Sequence, residues 1–211
     1  MRLIQRLAAV CFLLALGFPF RSPGQVIEFE SNNLKYFALT RNSMTIMIAQ
    51  LPAQVREYHV LQVAVSNGSK VPQTIRPEDF VLIRDDGSEV GATPPRTVVS
   101  SLVERASRSD VVKLVTSYEQ SLYGNPQYQG TNGYEQRRQS VMTDFTNTRL
   151  RAAAAASAIA FVQTKLMPGQ STDGAIFLLL SSKAAATGTM RVRAAGAVYE
   201  FPLNPSPKSS E

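Results

Sequence analysis

The sequence predicts a mainly β protein: an antiparallel sandwich interrupted once by an α-helical hairpin. Three observations predict it. Short apolar runs separated by turn residues occupy 34–91 and again 166–202. Between Thr97 and Leu166 the apolar period changes from strand-like to helical. Strands and helices do not alternate, which argues against a parallel α/β sheet. The chain has 211 residues, 44% hydrophobic and 18% charged, a balance too apolar for disorder and too charged for a multi-span membrane protein. That length accommodates one domain with a sizeable core.

Residues 1–24 read as a signal peptide. Arg2 and Arg6 are basic, Leu7 to Gly17 is apolar, and Ser22-Pro23-Gly24 places small residues before a cut at Gln25. The apolar stretch is about half the length of a membrane span. An uncleaved N-terminal anchor is the alternative. Val10, before Cys11, does not suit a lipoprotein signal. Cleavage removes Cys11, the single cysteine, leaving a chain suited to an oxidising compartment. Arg2, Arg6 and Arg21 leave with the leader, so the formal charge falls from +6 to about +3. The tight basic cluster, Arg149 and Arg151 with Arg137 and Arg138 nearby, reads as solvated helix faces, and no nucleic acid is expected as a partner.

The first part of the sandwich spans 25–96. Leu34 to Leu39 is a strand, followed by a turn at Arg41-Asn42-Ser43. Thr45 to Ile48 is the next, ended by Leu51-Pro52. In His59 to Val65, the residues Leu61, Val63 and Val65 share one face. Asn67-Gly68 signals a hairpin-type turn. Phe80 to Ile83 is a strand closed by Asp86-Gly87, and Thr93-Pro94-Pro95 stops the run.

The insertion spans 97–166. Val98 to Ala106 reads as a short helical piece. Val111, Leu114, Val115, Tyr118 and Leu122 form one face of a helix, with Ser109 or Asp110 as its N-cap. Turn formers fill 123–133. A longer helix should run from about Tyr134 to Lys165, with Val141, Met142 and Phe145 on one side and an alanine run from Ala152 to Ala156. The second part of the sandwich, 167–203, holds strands at Ala175 to Leu180, Thr189 to Arg193 and Ala197 to Phe201. Residues 204–211 form a polar tail with the composition of disorder.

Three segments carry a family resemblance. Val63-Ala64-Val65-Ser66-Asn67-Gly68-Ser69 is a strand ending in an Asn turn. Pro77-Glu78-Asp79-Phe80 enters a strand that closes on Asp86-Gly87. Leu166-Met167-Pro168-Gly169 leads to Gly174-Ala175-Ile176-Phe177. Their succession resembles exported bacterial Ig-like, telokin-like β-sandwich domains. The resemblance implies an immunoglobulin-like fold and a cell-envelope location, periplasmic or extracellular. It carries no catalytic residue. The chain departs from it in lacking a lipobox cysteine and in its long helical stretch.

No catalytic constellation stands out. His59 is the single imidazole, and a hydrolase built on it would need a serine such as Ser66, Ser181 or Ser182 beside it. None of these sits in a nucleophile elbow. Asp85-Asp86-Gly87-Ser88-Glu89 gathers carboxylates, but its spacing is not that of an EF-hand, and it reads as a solvated turn. Glu78 and Asp79 read as a strand entry. No metal and no cofactor is expected. Tyr118, Tyr123, Tyr128 and Tyr134, interleaved with Gln120, Gln127, Gln129 and Gln136, form a candidate contact surface around the hairpin tip. The expectation is a non-enzymatic binding or structural module that meets an envelope or extracellular protein through this tip. The alternatives are the His59 hydrolase and a peripheral membrane protein that docks through the Ala-rich helix.

Overall fold

The computed structural model describes residues 24–31, 33–123, 147–180 and 186–203. The expected signal peptide up to residue 23, most of the hairpin tip, the 134–146 part of the second helix, Ser181, Ser182 and the tail 204–211 lie outside the described residues. Mainly β structure in antiparallel sheets, with three helices, makes up the described chain.

The strands are β1 (Ile27–Ser31), β2 (Leu34–Arg41), β3 (Met44–Val55), β4 (Tyr58–Asn67), β5 (Gln73–Ile75), β6 (Phe80–Ile83), β7 (Glu89–Gly91), β8 (Thr164–Leu166), β9 (Ser171–Leu179), β10 (Gly188–Ala194) and β11 (Ala197–Leu203). The helices are α1 (Pro95–Arg105), α2 (Arg108–Tyr123) and α3 (Thr148–Ile159). One sheet has the order β1-β2-β3-β4-β9, a second β11-β10-β6-β7, and β5 and β8 pair alone.

Strand alternation sorts the apolar residues of the five-stranded sheet onto two faces. Phe37, Leu39, Ile46, Ile48, Leu61, Val63, Val65, Ile176 and Leu178 meet Phe80, Leu82, Met190, Val192, Tyr199 and Phe201 of the four-stranded sheet in one buried cluster. The opposite face presents Tyr36, Ala49, Tyr58, Val60, Ala175 and Phe177. These pack against Val98 and Leu102 of α1, Leu114 and Tyr118 of α2, and Ala152, Ala156 and Ile159 of α3. The order is therefore helices, five-stranded sheet, four-stranded sheet.

Several boundaries differ from the sequence expectation. Pro52 does not end β3. The strand continues to Val55 through a register shift between Gln50 and Gln54, where a proline is tolerated. Asn67-Gly68 does not make a hairpin, because β4 pairs with β3 and β9, not with β5. The fully buried Asn67 is a cross-link instead. Its Nδ2 donates to the carbonyls of Val71 (2.9 Å) and Leu166 (3.0 Å), and its Oδ1 accepts from the Ser69 amide (3.0 Å). The expected helix does not run unbroken through Asn147, which caps α3, its side chain accepting from the Arg149 amide at 2.9 Å; α3 ends at Ile159 rather than Lys165. Residues 164–166 form β8, because Thr74 and its neighbours offer a strand edge there. Asp110 is not the N-cap of α2. It lies inside the helix and reaches back to the Ser107 amide at 2.7 Å, the reciprocal half of a capping box. Strands β1, β5, β7 and β8 are short or edge elements that the sequence reading missed.

Two turns match expectation. Asn42 and Ser43 both adopt positive φ (48° and 60°) in the two-residue β2–β3 hairpin. In the β6–β7 hairpin Asp86 Oδ1 accepts from the Ser88 amide (2.9 Å) and hydroxyl (2.6 Å). These bonds hold its carboxyl below the usual carboxylate range.

Gly174 lies against the chain that leaves α3. A Cβ there would sit 2.6 Å from Phe161 Cα, whereas one at Gly91 meets nothing within 4 Å. Gly174→Ala should therefore lower the urea-unfolding free energy by about 2 kcal/mol, and Gly91→Ala should change it by less than about 0.5 kcal/mol.

Tyr199 ties β11 to the β2–β3 hairpin. Its hydroxyl donates to the carbonyl of Arg41 (2.7 Å), with a longer contact to that of Met44 (3.2 Å). Burial pushes its pKa from 10.0 up to about 12, against the opposing pull of Arg41. The folded chain holds this proton more tightly than the unfolded one. The stability it confers is intact below the unfolded value near 10 and is lost as pH rises through about 12. Tyr199→Phe should flatten that alkaline loss in urea titrations, while costing about 1 kcal/mol at neutral pH through its lost hydrogen bonds.

Candidate binding site

β9 is an edge strand of the five-stranded sheet, and its outer side is covered in steps. The Phe177 carbonyl accepts from the Thr93 amide at 2.7 Å, and the Ala175 carbonyl from the Phe161 amide at 2.9 Å. In an antiparallel ladder alternate residues aim their backbone groups the same way. Ser171 and Asp173 therefore aim theirs at the same outer side, where a cleft of about 530 Å³ opens.

Side chains from three places line this cleft. Ser157 and Ala160 come from the end of α3, Val162, Thr164 and Leu166 from the following chain and β8, and Gln170 to Asp173 from the start of β9. Hydroxyl, amide and carboxylate groups dominate its polar part, and no lining residue is basic. Hydroxyls and the amide both donate and accept, so such a set suits a polar, hydrogen-bonding group.

Asp173 is the chemically pointed member. It sits on the helix-facing side of β9 with Ala175 and Phe177, and is 2% exposed. A buried carboxylate is costly unless it is hydrogen-bonded. Its Oδ2 accepts from the hydroxyl of Tyr118 at 2.7 Å, and Tyr118 is itself 0% exposed. On the same sheet face Gln62 is buried, and its amide finds no hydrogen-bond partner among the described residues. The interior beneath the helices thus has a polar spot amid its alanines and aromatics.

The structure separates the candidate residues. Tyr118, grouped with the contact surface, is an interior residue: its ring fills the core and its hydroxyl is committed to Asp173. Helical period puts it on the same face as Val111, Leu114 and Val115, which is the buried one. Tyr123 closes α2, and Tyr128 and Tyr134 lie outside the described residues. Tyr123 follows Tyr118 by five positions, about 7.5 Å along the helix.

His59 does not line the cleft. It is half-buried near the start of β4, paired in register with Gln54 and Leu178. Ser66 is seven residues along the same strand, about 23 Å away and on the other face. Among the described residues no three His, Cys, Asp or Glu side chains converge to hold a metal ion. Asp79 Oδ2 accepts from the Arg76 amide at 2.8 Å, and Glu78 faces solvent. The Ala-rich helix turns Ala152, Ala153, Ala155, Ala156 and Ala158 inward, against α1, α2 and the sheet. Among the described residues no helix is long and apolar enough to cross a membrane.

Sequence reading overlooked Asp173 as a site residue. The available signal was a lone acid at the head of the apolar run Ala175 to Leu180, which the strand buries. No protein-family model, curated protein or solved structure matches the chain.

Removing the Tyr118 hydroxyl leaves Asp173 short of an interior donor. Tyr118→Phe should cost about 2 kcal/mol in urea unfolding. Combined with Asp173→Ala, which removes the acceptor, the loss should be smaller than the sum of the two single losses. Strictly additive losses would show that the pair is not coupled.

Proposed function

We propose that this chain is an exported, non-enzymatic binding module of the bacterial cell envelope or extracellular space. In this reading an Ig-like sandwich carries a helical insertion, and the insertion's Tyr/Gln-rich tip contacts an envelope protein. The observation that carries it is the Tyr118–Asp173 hydrogen bond. It anchors the last turns of α2 beside the cleft at β9, so the tip segment departs within about two helical turns of a polar hollow. In this reading Tyr123, Tyr128 and Tyr134 supply rigid amphipathic contact area.

A hydrolase built on His59 has less support, since the imidazole lies away from the cleft and far from Ser66. Docking on a membrane through α3 also has less support, because its alanine side is spent on the protein interior.

Site-specific photo-cross-linking in the native envelope tests the proposal. A photoreactive residue at position 128 should capture a defined protein, and one at the exposed Glu104 of α1 should not. Co-purification of that protein with the chain should be abolished by deleting residues 124–133. Equal capture from both positions, or co-purification that survives the deletion, would take the tip out of the interface.

A further inference from the structure

A separate groove of about 440 Å³ lies where the β10–β11 hairpin meets the chain entering β6. Arg193 of β10 and Arg76, just before the Pro77–Asp79 turn, both line it. The hairpin from Ala194 to Val198 forms its apolar side. Asp79 is the single carboxylate among the lining residues, and one of its oxygens is already held by the Arg76 amide at 2.8 Å.

The charges here are not balanced. Neither Arg76 nor Arg193 has an ion pair among the described residues. Arg191, two residues earlier on the same face of β10, shows the contrast: its Nε is 3.1 Å from Glu200, with Glu89 at 3.9 Å. Where this face supplies acids, they sit on its arginine. A third guanidinium, Arg41, donates to the Val198 carbonyl on the groove's wall and likewise has no acidic partner among the described residues. Two positive groups thus line a hollow with one carboxylate, and a third guanidinium bonds its wall.

The wall is held in place. Ala195 and Gly196 both take positive φ (49° and 68°), the geometry of a two-residue hairpin turn. Asn42 Nδ2 donates to the Ala195 carbonyl at 3.0 Å, which pins this turn to the β2–β3 hairpin. Guanidinium groups bind oxyanions through charge-assisted, often bidentate hydrogen bonds, and preorganised walls lower the cost of binding.

We propose that this groove binds the oxyanion group of a small ligand, a phosphate or carboxylate held by Arg76 and Arg193, with Ala194 to Val198 against the ligand's apolar part. It is distinct from the cleft at β9, whose lining holds no basic residue.

Amide NMR of the ¹⁵N-labelled protein, titrated with sodium sulfate against sodium chloride at equal ionic strength, tests this. Sulfate should give saturable shifts at Thr74 and from Arg193 to Val198. Arg193→Gln or Arg76→Gln should weaken the affinity about tenfold, while Arg96→Gln, an exposed arginine on α1, should not. Asp79→Asn should tighten it, because it removes the competing carboxylate and keeps an acceptor for the Arg76 amide. Co-sedimentation with phosphatidylglycerol vesicles but not phosphatidylcholine vesicles, lost in Arg193→Gln, would place the oxyanion on a lipid headgroup. Sulfate binding without co-sedimentation would make it a soluble ligand. Shifts that do not saturate, or equal effects of Arg193→Gln and Arg96→Gln, would overturn the proposal.

Discussion

A sheet apolar on both faces must be covered twice, and the layering of this protein follows from that constraint. β4 makes the point most plainly: Leu61, Val63 and Val65 point to one side, Tyr58 and Val60 to the other, and all five are buried. The four-stranded sheet covers the first side. The second has no further sheet to cover it, so the helical stretch is obligatory. Exposing Tyr36, Tyr58, Val60 and Phe177 would forfeit roughly 1.5–3 kcal/mol for each large side chain. The alanine run of α3 has a reason in the same constraint. It is buried on several sides at once, between α1, α2 and the sheet, and bulkier residues would hold those neighbours apart.

The link between the layers is made by a few satisfied polar groups. Asn67 joins the end of β4 to the segment before β9, with main-chain bonds from its amide to Gln170 (2.9 Å) and from Gly169 to its carbonyl (2.7 Å). Tyr199 joins β11 to the turn between β2 and β3. Each lies where strands of different sheets leave the core and backbone groups would otherwise go unpaired. The close contact of Gly174 with Phe161 belongs to the same region: the chain crosses from the helical layer to β8 directly over the edge of β9, and a side chain there would push it off.

Local chemistry made the long strands legible in the sequence. Val63 and its neighbours alternate cleanly, and the Asn42-Ser43 and Asp86-Gly87 turns announce their hairpins, whereas α1 opens at Pro95, three residues before the expected Val98. What was not legible depends on partners distant in sequence. β5 and β8 are three residues each and exist because they find one another across about ninety residues of chain. Alanine-rich sequence has high helix propensity, yet α3 stops at Ile159, because Ala160 bridges to Ala175 and Phe161 is needed between the sheets. Propensity is local, and tertiary pairing overrode it.

The candidate site shows the same division in sharper form. Tyrosines clustered near a predicted loop look like a contact surface, but helical phase sends Tyr118 inward, and phase alone does not reveal what meets its hydroxyl. The partner, Asp173, lies 55 residues away on a strand whose pattern reads as apolar. A buried acid in such a strand raises a question that only the fold can answer: which donor makes its burial tolerable. Tyr118 is one such donor, and its bond to Asp173 ties the end of α2 to the edge of β9. One hydrogen bond therefore serves both stability and placement, since the interaction that makes the carboxylate tolerable in the core also sets where the tyrosine-rich segment begins.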